Sequence, residues 1–287
     1  MRLGASDMKS LYMNFPENKT KAVTLSYDDG SRYDIKFSEI VSKYGLKCTF
    51  NICSGLISNM PDDEWHLSKE EIEQKIIFAG HEIAVHTAHH RAPGIIDLID
   101  GIKEVLECRV MLERMFGAII KGMAYPNSGI LLFENGYGYK DVKNYLAELG
   151  IVYARSLGGD NDNFRLPEDW HNWIPTAHHA NPELMKYIDK FVNLGSQEPK
   201  LFYLWGHSYE FHANDNWELL INICDKLSGN KDIWYATNIE IYNYVTAYRS
   251  LVFNIDKTMV YNPSAYTVWF RADDKDYCVK SGETITI

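Results

Sequence analysis

The sequence predicts an α/β fold, a barrel or barrel-like parallel sheet with a small antiparallel β appendage at its C-terminal end. Three observations predict it. Short apolar runs alternate with amphipathic stretches from Lys21 to about Tyr248, the pattern of βα units. Polar clusters follow several of the apolar runs, and the ends of parallel strands are where such folds carry their chemistry. After Ser250 the helical period stops and apolar residues alternate between turn signals.

The first unit opens with "KAVTLSY", a buried strand ending at Tyr27. Asp28-Asp29-Gly30 follows, and Asp-Gly between two strands is a hairpin signal. No strand returns, however. Ile35, Ile40, Val41 and Tyr44 recur at near-helical spacing and the segment closes at Gly45, so the unit reads strand, acidic turn, helix. "LKCTFNI" is the second strand. Ser68 and Glu71 form a capping box before Ile72, Ile76 and Ile77, opening a helix expected to end near Gly80. "HEIAVHTAHH" contains the third strand, "IDLIDGIKEVLECRVMLERMFG" is a long amphipathic helix, and "GMAYP" is the fourth strand. Helix "KDVKNYLAELG" leads to strand "IVYARS". Helix "NPELMKYIDKFVNLG", with Asn181 as cap and Pro182 in its first turn, leads to "KLFYLWGHS". Helix "NDNWELLINICDKLSG", strand "DIWYAT" and a helix from about Asn238 to Tyr248 complete seven strand candidates. The expected organisation is a barrel over residues 1–250 and an appendage over 251–287, with turns at Asn262-Pro263, Asp273-Asp274 and Ser281-Gly282.

The chain has 287 residues, 46% hydrophobic and 24% charged, which suits one barrel-sized domain with a small addition. A formal net charge of −10 argues against nucleic acid or an anionic membrane surface as the main partner. No apolar run is long enough to span a membrane. The first residues show neither an h-region nor a cleavage signature, so a cytoplasmic location is expected. Cys48, Cys53, Cys108, Cys224 and Cys278 are scattered and odd in number, with no C-x-x-C, which points away from zinc knuckles and disulfide frameworks. The 19 tyrosines and 7 tryptophans fit core packing or a cleft in which flat rings stack on sugars.

"HTAHH" carries His86 and His90, four apart, so on one helical turn both imidazoles would point the same way. With a carboxylate from Asp28-Asp29 they would make a three-ligand metal site with open positions, the usual form of a hydrolytic centre. Solvated histidines in a loop are the bland alternative.

"TLSYDDG", then "KYGLKCTFNI", then "GHEIAVHTAHH" resembles the polysaccharide deacetylases of carbohydrate esterase family 4 over about residues 20–245. The family's first motif is an aromatic followed by Asp-Asp-Gly and its second is His-Ser/Thr-x-x-His; both fit without gaps. The resemblance implies a distorted seven-stranded (β/α) barrel with one divalent metal at the C-terminal ends of the strands, Zn²⁺ or else Co²⁺, Ni²⁺ or Mn²⁺. It implies Asp28 as general base and Asp29, His86 and His90 as metal ligands. Thr87 supports the loop, and His81 and Glu82 match a structural lead-in.

The later motifs depart from the family pattern. The third, usually Arg-x-Pro-aromatic, is "AYPNSG", with Ala124 in place of Arg and Asn127 in place of the aromatic. The Asn127 backbone N–H remains the expected oxyanion donor, and Tyr125 is either a pocket wall or a core residue. The fourth offers Asp169-Trp170 without the upstream Asp, and Asp169 is expected to hold the acid histidine. The fifth, "LFYLWGHSYEF", supplies His207 as general acid, with Trp205 and Tyr209 bounding the pocket and Glu210 unassigned. His178 and His179 have no place in the pattern. Arg165 or Arg155 would stand in for the missing Arg, and Arg165, just before "LPEDW", is the better candidate from the sequence.

These residues point to a metal-dependent hydrolase removing acetyl groups from N- or O-acetylated carbohydrate. The competing readings are a hydrolase of a small amide or ureide on the same scaffold and a carbohydrate-binding pseudoenzyme. The two-His-one-carboxylate iron oxygenase is a further alternative for the triad, but it has no use for a second adjacent Asp.

Overall fold

A computed structural model describes residues 9–60, 63–134, 136–157 and 161–287. After β1 (Leu11–Asn14) the chain enters β2 (Lys21–Asp29), buried along almost its whole length and the centre of the barrel. There follow α1 (Tyr33–Lys43), β3 (Cys48–Ile52), α2 (Lys69–Ile72), β4 (Glu82–Val85), α3 (Leu98–Phe116) and β5 (Gly122–Ala124). Next come α4 (Tyr139–Glu148), β6 (Tyr153–Arg155), β7 (Ala177–His178), α5 (Leu184–Val192), β8 (Lys200–Gly206), α6 (Ser208–Ala213), α7 (Trp217–Leu227), β9 (Ile233–Tyr235) and α8 (Asn238–Arg249). The capping box at Ser68 forms as its sequence predicts, and the helix it opens continues through a wider turn at Glu73–Ile77.

Strands β2 to β9 make one parallel sheet in the order β6-β5-β4-β3-β2-β8-β7, with β9 on the first residues of β2. One edge of β2 pairs with β8 from Lys21↔Lys200 to Tyr27↔Gly206; β9 and then β3 share the other. All seven strands expected from the sequence are present, together with β7, which is two residues long and has no apolar run to announce it. β7 pairs with β8, and the stretch leading into it meets β6 through a parallel bridge between Arg155 and Trp173. Residues 173–178 therefore link the two outer edges of the curled sheet.

Helices cover the outside. Phe37 and Val41 of α1 are fully buried, Phe37 against Tyr27 and Phe50. Each such side chain contributes about 1.5–3 kcal/mol through removal from water. α5 starts at Leu184 rather than at Asn181, whose Oδ1 instead accepts the N–H of Glu183 in a preceding turn.

The C-terminal strands β10 (Val252–Phe253), β11 (Met259–Tyr261), β12 (Val268–Ala272), β13 (Lys275–Val279) and β14 (Thr284–Thr286) form two small antiparallel sheets, β10-β11-β14 and β1-β12-β13. The N-terminal strand thus pairs with the appendage rather than with the barrel. Tyr244 of α8 ties the parts together: its hydroxyl donates to Asn14 O at 2.7 Å and accepts from Trp269 N at 3.0 Å. No helix among the described residues is long and apolar enough to cross a membrane.

Candidate active site

Neighbouring residues of a strand point to opposite faces. Asp28 and Asp29 escape that rule because Asp29, the last residue of β2, has φ +81°. The left-handed turn swings its carboxylate back to the side that Asp28 already faces. Asp28 is buried; its Oδ1 accepts from Asn51 Nδ2 at 2.8 Å and its Oδ2 pairs with Arg155 Nη2. Thr87, His90 and Asn127 are also left-handed, at φ +64°, +58° and +50°. Such geometry is unfavourable for non-glycine residues and persists where surrounding contacts enforce it.

Those contacts are on the loop after β4. His86 and His90 do not share a helical turn, as their spacing suggests; the segment is irregular and bent back. Glu104 of α3 holds it, accepting from His89 N at 2.8 Å and lying 3.1 Å from His89 Nδ1, while its backbone carbonyl accepts from Ala88 N at 3.0 Å. Gly55 lets a neighbouring loop approach: a Cβ there would stand 2.7 Å from Ala88 O. The result places His86 Nε2 at 3.4 Å and His90 Nε2 at 3.1 Å from Asp29 Oδ1.

The three residues fit a divalent ion. Ligands about 2.0–2.1 Å from one ion lie roughly 2.9–3.4 Å apart, which is the spacing seen here. Asp29 Oδ1 is buried and has no hydrogen-bond partner among the described residues. His86 Nδ1 lies 2.9 Å from the carbonyl of Ala124, which fixes the proton on Nδ1 and turns the Nε2 lone pair toward Asp29. Asn127 supports the site through its side chain, donating to His90 O at 2.8 Å.

Arg155, not Arg165, pairs with Asp28. Arg165 is exposed in a loop where its backbone bonds to Asn161. Arg155 is fully buried on β6, with its guanidinium 4.3 Å from the Trp205 ring. Its position is one strand over from the expected one, because Arg155 is the direct register partner of Ala124.

The structure also decides the places of Tyr125 and Asp169. Tyr125 is a core residue whose hydroxyl donates to His171 O at 2.8 Å. Asp169 does not touch His207; its carboxylate accepts from Tyr139 Oη and Lys143 Nζ, both at 2.7 Å, and from His171 N at 3.0 Å.

His207 follows β8. Its ring stands 5.9 Å from Trp205 and 5.2 Å from Tyr209, and its Nδ1 is 3.3 Å from Glu210 Oε1. Burial works against a charged His207, but Glu210, Asp28 and Asp29 prevail and lift it above its ordinary value. Glu210 Oε2 lies 3.2 Å from His178 Nε2 and 3.0 Å from His179 Nε2. Burial would raise Glu210; the three histidines hold it well below the usual range. Gly206 is required by this packing, since a Cβ there would collide with the His179 ring. The sequence signal that finds His178 and His179 is "TAHH" beside a strand end, but without the register nothing directs them to Glu210.

Trp65 also belongs to this rim. It is 47% exposed, 5.3 Å from the Tyr209 ring, and its carbonyl accepts from Arg32 N just after the Asp-Asp-Gly turn.

Residues 16–154 match a family model described as polysaccharide deacetylase. A Mycobacterium smegmatis protein assigned as a polysaccharide deacetylase superposes with a TM-score of 0.55 at 15% identity, covering 84% of this chain and 96% of that one. A family 4 carbohydrate esterase from Streptomyces lividans, in complex with acetate, gives 0.50 at 14% identity, covering 76% and 93%. A Streptococcus pyogenes deacetylase in complex with acetate gives 0.41 at 17% identity over 47% of this chain, which spans 55% of that protein. At these identities the first two establish the barrel fold. No curated protein matches the chain in sequence.

Proposed function

We propose that this chain, whose residues 16–154 match the polysaccharide deacetylase family model, is a metal-dependent hydrolase removing acetyl groups from N- or O-acetylated carbohydrate. The observation that carries this reading is the left-handed Asp29, which sets a metal-binding carboxylate beside a buried second carboxylate, with His207 close enough to feel both charges.

Asp29, His86 and His90 would hold one divalent ion, Zn²⁺ first, with Co²⁺, Ni²⁺ or Mn²⁺ as substitutes for the same imidazole and carboxylate donors. Such an ion, when bound, supplies Lewis acidity toward the acyl oxygen and a water of lowered pKa. Asp28 takes the proton from the attacking water. Asn51 and Arg155 each bond one of its oxygens and fix its orientation, while every carboxylate oxygen keeps a second lone pair free. The Asn127 backbone N–H stabilises the oxyanion. His207 protonates the departing amine or alkoxide. Trp205, Tyr209 and Trp65 give the sugar flat faces beside the reacting group.

The test is acetate release by the purified, metal-loaded protein from chitooligosaccharides and acetylated xylan, set beside ammonia release from small amides and ureides. Acetate from either glycan supports the reading. Ammonia from a ureide with no acetate overturns it.

A further inference from the structure

Given that reading, we infer that Glu210 is the positioning residue of the acid His207, with His178 and His179 holding its far oxygen. Glu210 stands three residues after His207, so α6 returns its side chain to the ring: Oε1 lies 3.3 Å from His207 Nδ1. With Nδ1 occupied on that side, Nε2 on the opposite side of the ring is the atom left to give its proton to the leaving group. Oε2 lies 3.2 Å from His178 Nε2 and 3.0 Å from His179 Nε2, so each carboxylate oxygen faces a histidine.

The proton positions in the cluster favour this role. His178 Nδ1 accepts the backbone N–H of Ala180 at 3.1 Å, so its own proton is on Nε2 and faces Glu210. The Tyr27 hydroxyl lies 3.3 Å from His179 Nδ1. The rings of His178 and His179 thus stand against Oε2 and the ring of His207 against Oε1. A second metal ion would need the lone pair of His178 Nε2, which that tautomer lacks. The groups facing His207 are Glu210 on α6, Asp28 and Asp29 on β2, and His178 with His179 at β7. Three of them are carboxylates, and Glu210 alone reaches the ring nitrogen opposite the leaving group.

The test is Glu210→Gln in the metal-loaded protein, with three readouts. In imidazole ¹⁵N NMR, His207 should titrate about one to three pH units lower than in wild type, the effect of losing a close carboxylate. Turnover of an N-acetylated chitooligosaccharide should fall by about 10²-fold, the lower range of general-acid assistance. Hydrolysis of 4-nitrophenyl acetate, whose phenolate leaves without protonation, should change little. His178→Asn should move all three in the same direction by less. An unchanged His207 titration, or equal losses on both substrates, overturns the proposal. So does a second equivalent of bound metal that disappears in His178→Ala. If wild type deacetylates no glycan, that result counts against the functional reading, and the NMR titration alone decides the role of Glu210.

Discussion

Asp29 with His86 and His90, and Glu210 with His178 and His179, are each a carboxylate with two imidazoles at similar spacing, 3.1–3.4 Å in one cluster and 3.0–3.2 Å in the other. What stands behind the rings differs. A carbonyl backs His86, so the proton is held away from Asp29 and a lone pair points into the site. A backbone N–H backs His178, so its proton points at the carboxylate. At His90 the group behind the ring is the Asn127 amide nitrogen, 3.3 Å from Nδ1, so the contrast between the clusters rests on His86 and His178. Ligand type and distance alone therefore do not separate the two clusters; the groups behind His86 and His178 do.

Removing a ligand should break the comparison most sharply. His86→Ala is expected to abolish stoichiometric metal binding, whereas His179→Ala should retain one ion, as measured by elemental analysis. Equal metal content in wild type and His86→Ala would remove His86 from the ligand set.

Asp28→Asn should keep the metal and lose about 10²- to 10⁴-fold in turnover, because an amide cannot accept the proton. Activity within a few-fold of wild type would show that another group is the base.

Arg155→Met leaves Asp28 buried without its cation and should lower stability by about 3–5 kcal/mol, read by denaturant unfolding. Arg165→Ala, on the exposed loop, should change neither stability nor turnover. The reverse pattern would restore Arg165 as the partner of Asp28.

The tautomer rule can be sharpened at a third ring, away from the chemistry. Buried His81 accepts Cys48 N–H at Nδ1 and has Ser42 Oγ 2.9 Å from Nε2, an arrangement that suits only the neutral form. Burial lowers its pKa to about 4. A lowered histidine contributes stability that is complete above its unfolded value and is lost as pH falls toward the folded one. Between pH 7 and pH 5 this should cost about 2 kcal/mol. His81→Asn should flatten that part of the pH–stability curve; an unchanged slope would place the charged form of His81 comfortably in the fold.

Motifs that are contiguous in the chain were legible: Asp28-Asp29-Gly30, His86 to His90, and His207 after an apolar strand. Functions shared between distant segments were not. Ala124 looks like a loss when the chain is read in a line, and Asp169 like the holder of the acid histidine. In space, Arg155 lies beside Ala124 across a strand pair, and Glu210 comes back on His207 from the next helical turn. A neighbouring backbone can deliver a charge to the same point, and register is not written in local sequence.

The sequence by itself determined the alternation of strands and helices, the acidic turn, the histidine pair and the histidine that follows β8, because apolar period and local turn chemistry act over a few residues. Tertiary structure decided the rest. The two-residue strand β7 exists only because β8 offers it an edge, and Asp29 is left-handed only where a packed site enforces it. The tautomers of His86 and His178 follow from a carbonyl 38 residues away and a backbone N–H two residues on, groups whose direction is known only once the chain has folded.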